Sequence, residues 1–289
     1  MALLEIALLG PGSYRTTWSD RSHDMANASG QLLARLLLSR GRPIRREAIA
    51  AELWNDFDPS GARRRLNTAL YRLRKQIEPN SNRPSFVIST SATELLFDVT
   101  QDYWLDVEDF ERIVERCLSP RPLGAADVEM FTSGLDRYES SLCEALDGEW
   151  LAPERRRLAN LHVQALSVLG TRHLQDNNPN EALRLAQRAM RLEPLREDLH
   201  RLVIRALAAT GDRSGALMAF ETCKRMLADE LDINPLPETT RLAAAIGRGV
   251  PDSYVNVTVG NAIDRLNQTR SELVGLISDI DRAIHTLND

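Results

Sequence analysis

Apolar residues recur along this chain with a spacing that changes from place to place, and the changes mark out its elements. The opening MALLEIALLG is a short apolar run. It is too short to span a bilayer, carries Glu5, and lacks a basic flank or cleavage site, so it reads as a buried first strand and not a signal peptide. Tyr14 to Trp18 reads as further strand material for a small sheet. Leu32, Leu33, Leu36 and Leu37 then fall on one helix face, ended by Gly41 and Pro43. Ile44, Ile49, Leu53 and Trp54 mark a second short helix from about Arg45. A third follows a short turn: Ala62, Leu66, Leu70, Leu73 and Ile77 share one face, with Ala69 at its edge. Asp58 or Ser60 suits its N-cap, Pro59 its first turn, and Pro79 its end. Downstream, FVISTSATELLFDV reads as two short strands and a polar turn, a hairpin.

Residues 106 to 247 read as helix throughout. Ala182-Leu183 and Ala216-Leu217 lie 34 residues apart, each after a turn, DNNPNEAL and TGDRSGAL. That is the period of tetratricopeptide helix pairs. Leu166, Leu169 and Gly170 fall in the first helix of one repeat, and Ala182, Ala186 and Ala189 in its second, closed by Pro194. Val203 and Leu207, then Ala216, Phe220 and Cys223, occupy the next. Small residues let paired helices approach closely. Asp147, Glu149 and Trp150 are candidates for an interdomain contact.

Residues 248 to 262 read as a linker with Gly249, Pro251 and Gly260. Beyond them Leu266, Leu273, Ile280 and Leu287 recur every seven residues, with Ile263, Ile277 and Ile284 on the alternate seam and Arg270 as its polar exception. Such heptads suit a coiled coil or a helix docked on the repeats; the oligomerising reading is preferred.

At 289 residues with 43% hydrophobic composition, the chain has material for about two domains with real cores. Cys117, Cys143 and Cys223 are odd in number and widely spaced, which argues against a disulfide framework or zinc site and for reduced thiols in a cytosol. His23, His162, His173, His200 and His285 are equally scattered. There is no GxSxG, HExxH or P-loop. We therefore expect no enzyme, metal or cofactor, and no membrane association.

Charge changes the picture. The chain carries a formal net charge of -5, yet residues 29 to 85 hold 12 Arg or Lys against 5 Asp or Glu. Within ARRRLNTALYRLRKQ, residues 62 to 76, six side chains are cationic and none is acidic. Opposite the apolar stripe lie Arg64, Thr68, Tyr71, Arg72 and Lys75, with Arg63, Arg65, Asn67 and Arg74 also off the stripe. An α-helix fits the major groove of B-form DNA, where Arg grips guanine bidentately and other cations hold phosphates. These nine residues are the candidate DNA-binding set. Three helices and a hairpin, with the third helix basic, describe a winged helix-turn-helix.

RLLLSRGRPIRREAIAAELW, ARRRLNTALYRLRKQIEP and WLDVEDFERIVERC resemble the DNA-binding half of the SARP-type bacterial transcriptional activators, whose winged helix is of the OmpR-like kind. GLDRYESSLCEALDGEWLAPERRRLANLHVQAL and EALRLAQRAMRLEPLREDLHRLVIRALAATGDRSGAL resemble the bacterial transcriptional activation domain that follows it. The likeness covers roughly residues 3 to 247, with polar residues 18 to 28 departing from the pattern. It implies a promoter activator that often binds direct repeats and recruits RNA polymerase holoenzyme. It also makes Pro59 to Gln76 the recognition helix and puts Arg72, Arg74 and Lys75 where related helices touch DNA.

The expected fold is mostly α: an N-terminal winged helix-turn-helix (α+β) over residues 1–103, and an all-α tetratricopeptide-like repeat domain over 104–249. A linker and long C-terminal heptad helix fill 250–289. The expected function is sequence-specific activation of transcription from double-stranded promoter DNA, in the cytoplasm at the nucleoid. The chain is expected to be a homo-oligomer through Ile263, Leu266, Leu273, Ile277, Ile280, Ile284 and Leu287. The competing reading is a repeat scaffold whose basic helix binds an acidic protein or RNA.

Overall fold

The computed structural model describes residues 3–78, 85–119, 121, 123–136, 138 and 141–249. The C-terminal heptad, from Ile263 to Leu287, and the long helix expected there lie outside the described residues. Two compact units divide at 168/169.

The first unit opens with β1 (Leu4–Ala7), β2 (Ser13–Thr16) and β3 (Ser22–Asp24). Then come α1 (Ala28–Leu37), the short β4 (Ile44–Arg45), α2 (Arg46–Leu53), α3 (Pro59–Ile77), the hairpin β5 (Val87–Ser91) and β6 (Glu94–Phe97), and β7 (Tyr103–Leu105). β1 pairs antiparallel with β2 and parallel with β7, giving the order β3-β2-β1-β7; β4 joins the hairpin as β4-β6-β5. Leu4 and Ile6 are fully buried while Glu5 and Ala7 are half-exposed, the alternation of a sheet covered on one face.

The polar stretch 18–28 is explained by its tasks. It supplies the edge strand β3, and the Asn27 side chain accepts from the backbone N–H groups of Ser29 and Gly30, both at 3.0 Å, as N-cap of α1. Neither β4 nor β7 was anticipated. Both are very short, and their partners lie far away along the chain, so no local periodicity marks them.

α4 (Asp106–Leu118) and α5 (Ala125–Asp136) follow. The expectation of unbroken helix from 106 to 247 is corrected here. Leu142 bridges antiparallel to Leu9, and the Cys143 N–H donates to the Leu8 carbonyl at 2.6 Å. Residues 141–144 thus extend the strand region around β1, using backbone groups a helix would have kept to itself. Arg155, in α6 (Ala152–Gln175), pins that segment from the other side, donating to the carbonyls of Leu142, Cys143 and Leu146 at 2.6–2.8 Å.

Two polar devices join the winged helix to these later elements. The buried Asp106 carboxylate accepts from the Leu8 and Leu9 N–H groups at 2.8 and 2.9 Å. Just past α1, Arg40 makes a two-pronged pair with Glu111 at 2.6 and 2.8 Å and reaches Glu154 at 3.1 Å. Arg157 pairs two-pronged with Glu154 at 2.7 and 2.8 Å and also contacts Glu111. Burial opposes ionisation of Glu111, but its guanidinium partners outweigh that and hold the carboxyl below the usual range. The Arg157 hydrogen bond does the same for Glu154.

The second unit contains α7 (Pro179–Leu192), α8 (Glu197–Ala209), α9 (Arg213–Leu231) and α10 (Pro237–Gly247). α7 packs on α8, α8 on α9, and α9 on α10. Ala182, Ala186, Ala189 and Ala216 are fully buried. A Cβ on Gly170 would stand 2.9 Å from Leu202 Cδ2, so a larger residue there requires the Leu202 side chain to turn aside. Cys117, Cys143 and Cys223 are free and buried, and burial pushes their thiols up to about 11, 12 and 11. Among the described residues no helix is long and apolar enough to cross a membrane.

Two measurements check this packing. Leu73 is fully buried under α1 and α2, so Leu73→Ala is expected to lower unfolding free energy by about 2–5 kcal/mol in a denaturant titration. Glu111 and Glu154 have depressed folded-state pKa values, so their contribution is present above the unfolded carboxylate value of about 4.3 and is lost as pH falls through the lower folded value. Glu111→Gln should therefore cost stability at pH 7, on the order of 1 kcal/mol given the partial exposure of its partners, and progressively less as pH falls below about 4.3 and through the lower folded value. Thermal melts across that range read the difference.

Candidate nucleic-acid interface

The interface is built on α3. Its buried residues are Ala62, Leu66, Ala69, Leu70, Leu73 and Ile77, the stripe the sequence marks. Pro59 occupies the first turn, and the Ala62 N–H donates to the Asp58 carbonyl at 2.9 Å. The Asp58 side chain makes no cap to the helix N–H groups; it accepts from the Ser60 hydroxyl at 2.5 Å, which lowers its carboxyl pKa. α1 and α2 both pack against the stripe, and the Ser29 hydroxyl reaches the Ala69 carbonyl at 3.4 Å. Near the C-terminal end, buried Tyr14 donates from its hydroxyl to Gln76 at 2.8 Å and stacks on His23 with ring centres 5.1 Å apart. The helix is thus fixed in rotation about its axis by side chains from α1, α2 and the first sheet.

That rotation decides where each candidate lies. Arg63, Arg64, Arg65, Asn67, Thr68, Tyr71, Arg72 and Lys75 are exposed, and Tyr71 stands 67% accessible. Arg72 and Lys75 form no ion pair with any described residue. Arg64 helps to lower the Asp58 carboxyl through its charge. Arg63 pairs with Glu47 across the surface to α2, and the Arg65 guanidinium lies 3.9 Å from the Phe57 ring centre. These two cations are already engaged at the N-terminal end of the helix.

Arg74 differs from the rest. It is half-buried and donates to the Val87 carbonyl at 2.8 Å and to the Ser89 hydroxyl at 3.3 Å, tying α3 to β5. Arg46, at the start of α2, also reaches Ser89, at 3.1 Å, and approaches Asn67 at 3.4 Å. Neither Arg46 nor Ser89 belongs to the candidate set that helical periodicity marks on α3. The run RPIRRE signalled basic character, but nothing local told which of its arginines would fold toward the wing. Glu78 completes the junction, accepting from the Val87 N–H at 2.7 Å. Asp147, Glu149 and Trp150, candidates for an interdomain contact, line a cleft of about 410 Å³ together with Gln31, Glu52 and Asp56 of the winged-helix region.

Similarity to known proteins agrees with this architecture. The family profile described as "Transcriptional regulatory protein, C terminal" matches residues 20–93, and that of the bacterial transcriptional activator domain matches residues 105–247. Regulatory protein AfsR of Streptomyces coelicolor is 28% identical over 254 residues, 86% of this chain and 24% of AfsR. Transcriptional regulatory protein EmbR of Mycobacterium tuberculosis is 24% identical over 225 residues, 76% of this chain and 57% of EmbR. The chain therefore spans about a quarter of the length of AfsR and little more than half that of EmbR. A solved structure of Mycobacterium tuberculosis EmbR, in complex with a low-affinity phosphopeptide, superposes with a TM-score of 0.70. It covers 93% of this chain and 72% of that one at 21% identity, and so shows a shared fold. Both family descriptions concern transcriptional regulation and neither names a catalytic activity.

The geometry separates anchoring from free cations. Arg74→Ala should cost about 1–2 kcal/mol of stability, because it strips a carbonyl and a hydroxyl of their donor. Arg72→Ala should stay within about 0.5 kcal/mol. Paired denaturant titrations of the two variants check this.

Proposed function

The chain belongs to the SARP-type bacterial transcriptional activators, and from that premise we propose that it recognises promoter DNA by laying α3 in the major groove. The observation that carries the reading is the division of α3 into a buried leucine face and an exposed face bearing Arg64, Thr68, Tyr71, Arg72 and Lys75. These groups have complementary uses. Arg72 lies mid-face and suits a bidentate grip on guanine; Thr68 and Tyr71 can meet base edges or a thymine methyl. Arg63, Arg64, Arg65 and Lys75 suit phosphates on either side of the groove. Asn67 and Arg74, which touch Arg46 and the wing, hold the helix against the hairpin.

The functional division we assign is DNA binding over residues 1–103 and activation over 104–249, with 250–289 for oligomerisation. RNA polymerase contact is assigned to the helical region because the activator-domain match falls there. Self-association is assigned to the heptad positions, and paired protomers suit repeated half-sites, whose spacing then follows from protein geometry.

A salt titration on duplex DNA tests the reading. Cation–phosphate contacts release counterions, so log affinity should fall linearly with log salt, with a preference among sequences superimposed on that slope. Arg72→Ala should cost about 1–3 kcal/mol and relax preference at one base pair. Lys75→Ala should weaken all duplexes alike and make the slope shallower by about one. Affinity for an acidic protein or for RNA above that for any duplex would favour the scaffold reading instead.

A further inference from the structure

Where α2, α3 and the wing meet, two guanidiniums converge on one neutral hydroxyl. Arg46 Nη2 lies 3.1 Å and Arg74 Nη2 3.3 Å from Ser89 Oγ. Their other described acceptors are also neutral: the Asn67 side-chain carbonyl for Arg46 and the Val87 carbonyl for Arg74. Glu78 is the one carboxylate within 4.0 Å of either guanidinium among the described residues: its Oε2 lies 3.9 Å from Arg74 Nε, beyond hydrogen-bond reach, while its Oε1 accepts from the Val87 N–H. Glu47, next in sequence to Arg46, is taken by Arg63. Among the described residues, the Nε atoms of both arginines are buried and make no hydrogen bond, and Arg74 Nη1 makes none either.

Two like charges sharing a neutral acceptor repel each other, and the fold holds them there without a full complement of anions. A planar fork presents several N–H groups at fixed angles, and two forks around one point match a tetrahedral oxyanion. Ser89 is exposed on the wing strand, so the opening faces solvent beside the helix that carries the base-reading candidates.

We propose that Arg46 and Arg74, converging on Ser89, form a seat for one phosphodiester of the DNA backbone. It rests on the DNA-binding reading above, adds Arg46 to it and gives Arg74 a specific phosphate contact. The seat sets the register of α3 in the groove, since the phosphate and the mid-helix face are fixed to one rigid junction. Being formed without nucleic acid, it needs no ordering step on binding.

The test uses the full chain and a set of otherwise identical duplexes, each carrying a neutral methylphosphonate at one backbone position. Wild-type protein should lose affinity at a position that matters no longer in Arg46→Gln. That variant should weaken the unmodified duplex, and those neutralised elsewhere, by the same factor, and show a salt slope about one unit shallower. Arg46→Lys, which keeps the charge without the fork, should keep the slope. Thermal melts confirm that each variant folds. If folded Arg46→Gln retains the wild-type slope and every methylphosphonate penalty, the seat is refuted while DNA binding stands. If wild-type protein shows no salt-dependent duplex binding, the DNA-binding reading itself fails, a distinguishable outcome.

Discussion

The apolar stripe of α3 is the constraint on which the rest of the molecule depends. Ala62, Leu66, Ala69, Leu70, Leu73 and Ile77 follow one face of a 19-residue helix and are all buried. Sequestering that face under α1 and α2 fixes the helix in rotation and leaves five of the six cations of residues 62–76 exposed, Arg74 alone being half-buried. Charged groups are costly to bury unpaired, so the same partition that drives folding sets out the polar face. The hydrogen bond between Tyr14 and Gln76 and the Arg74 contacts with β5 then remove the freedom that remains.

The winged helix does not end its contacts with β7. The Asp106 carboxylate, at the first residue of α4, takes the two N–H groups that β1 leaves at its end. Burial raises that carboxyl's pKa and those donors oppose the rise, as expected of a carboxylate doing the work of a strand partner. Residues 141–144 add a further backbone pairing beside it, and the Arg40, Glu111, Glu154 and Arg157 cluster ties the end of α1 to α4 and α6. The junction between the winged helix and the helices that follow it is therefore filled with directional polar contacts.

Much of this was legible in the sequence because it is periodic. The stripe of α3, the leucines of α1, the wing and the 34-residue spacing are local patterns; α7 and α9 begin 34 residues apart. What escaped is what depends on long-range pairing. β4 has two residues and β7 three, and each is defined by a partner strand 49 or more positions away. The interruption at Leu142 looked helical because its composition is helical; a bridge to Leu9 overrides that preference. In the candidate site, the exposed residues followed from angular position alone. Arg74 did not, since its half-buried place depends on where Val87 and Ser89 fall, and Arg46 was missed for the same reason.

The most direct measurement of the central claim is chemical interference on duplexes selected from a random pool by binding to the full chain. Guanine N7 lies in the major groove and adenine N3 in the minor groove. Methylation at particular guanine N7 positions should abolish binding, and methylation at adenine N3 under the same helix should leave it intact. Interference confined to adenine N3, or absent at every guanine, would contradict a cationic helix seated in the major groove.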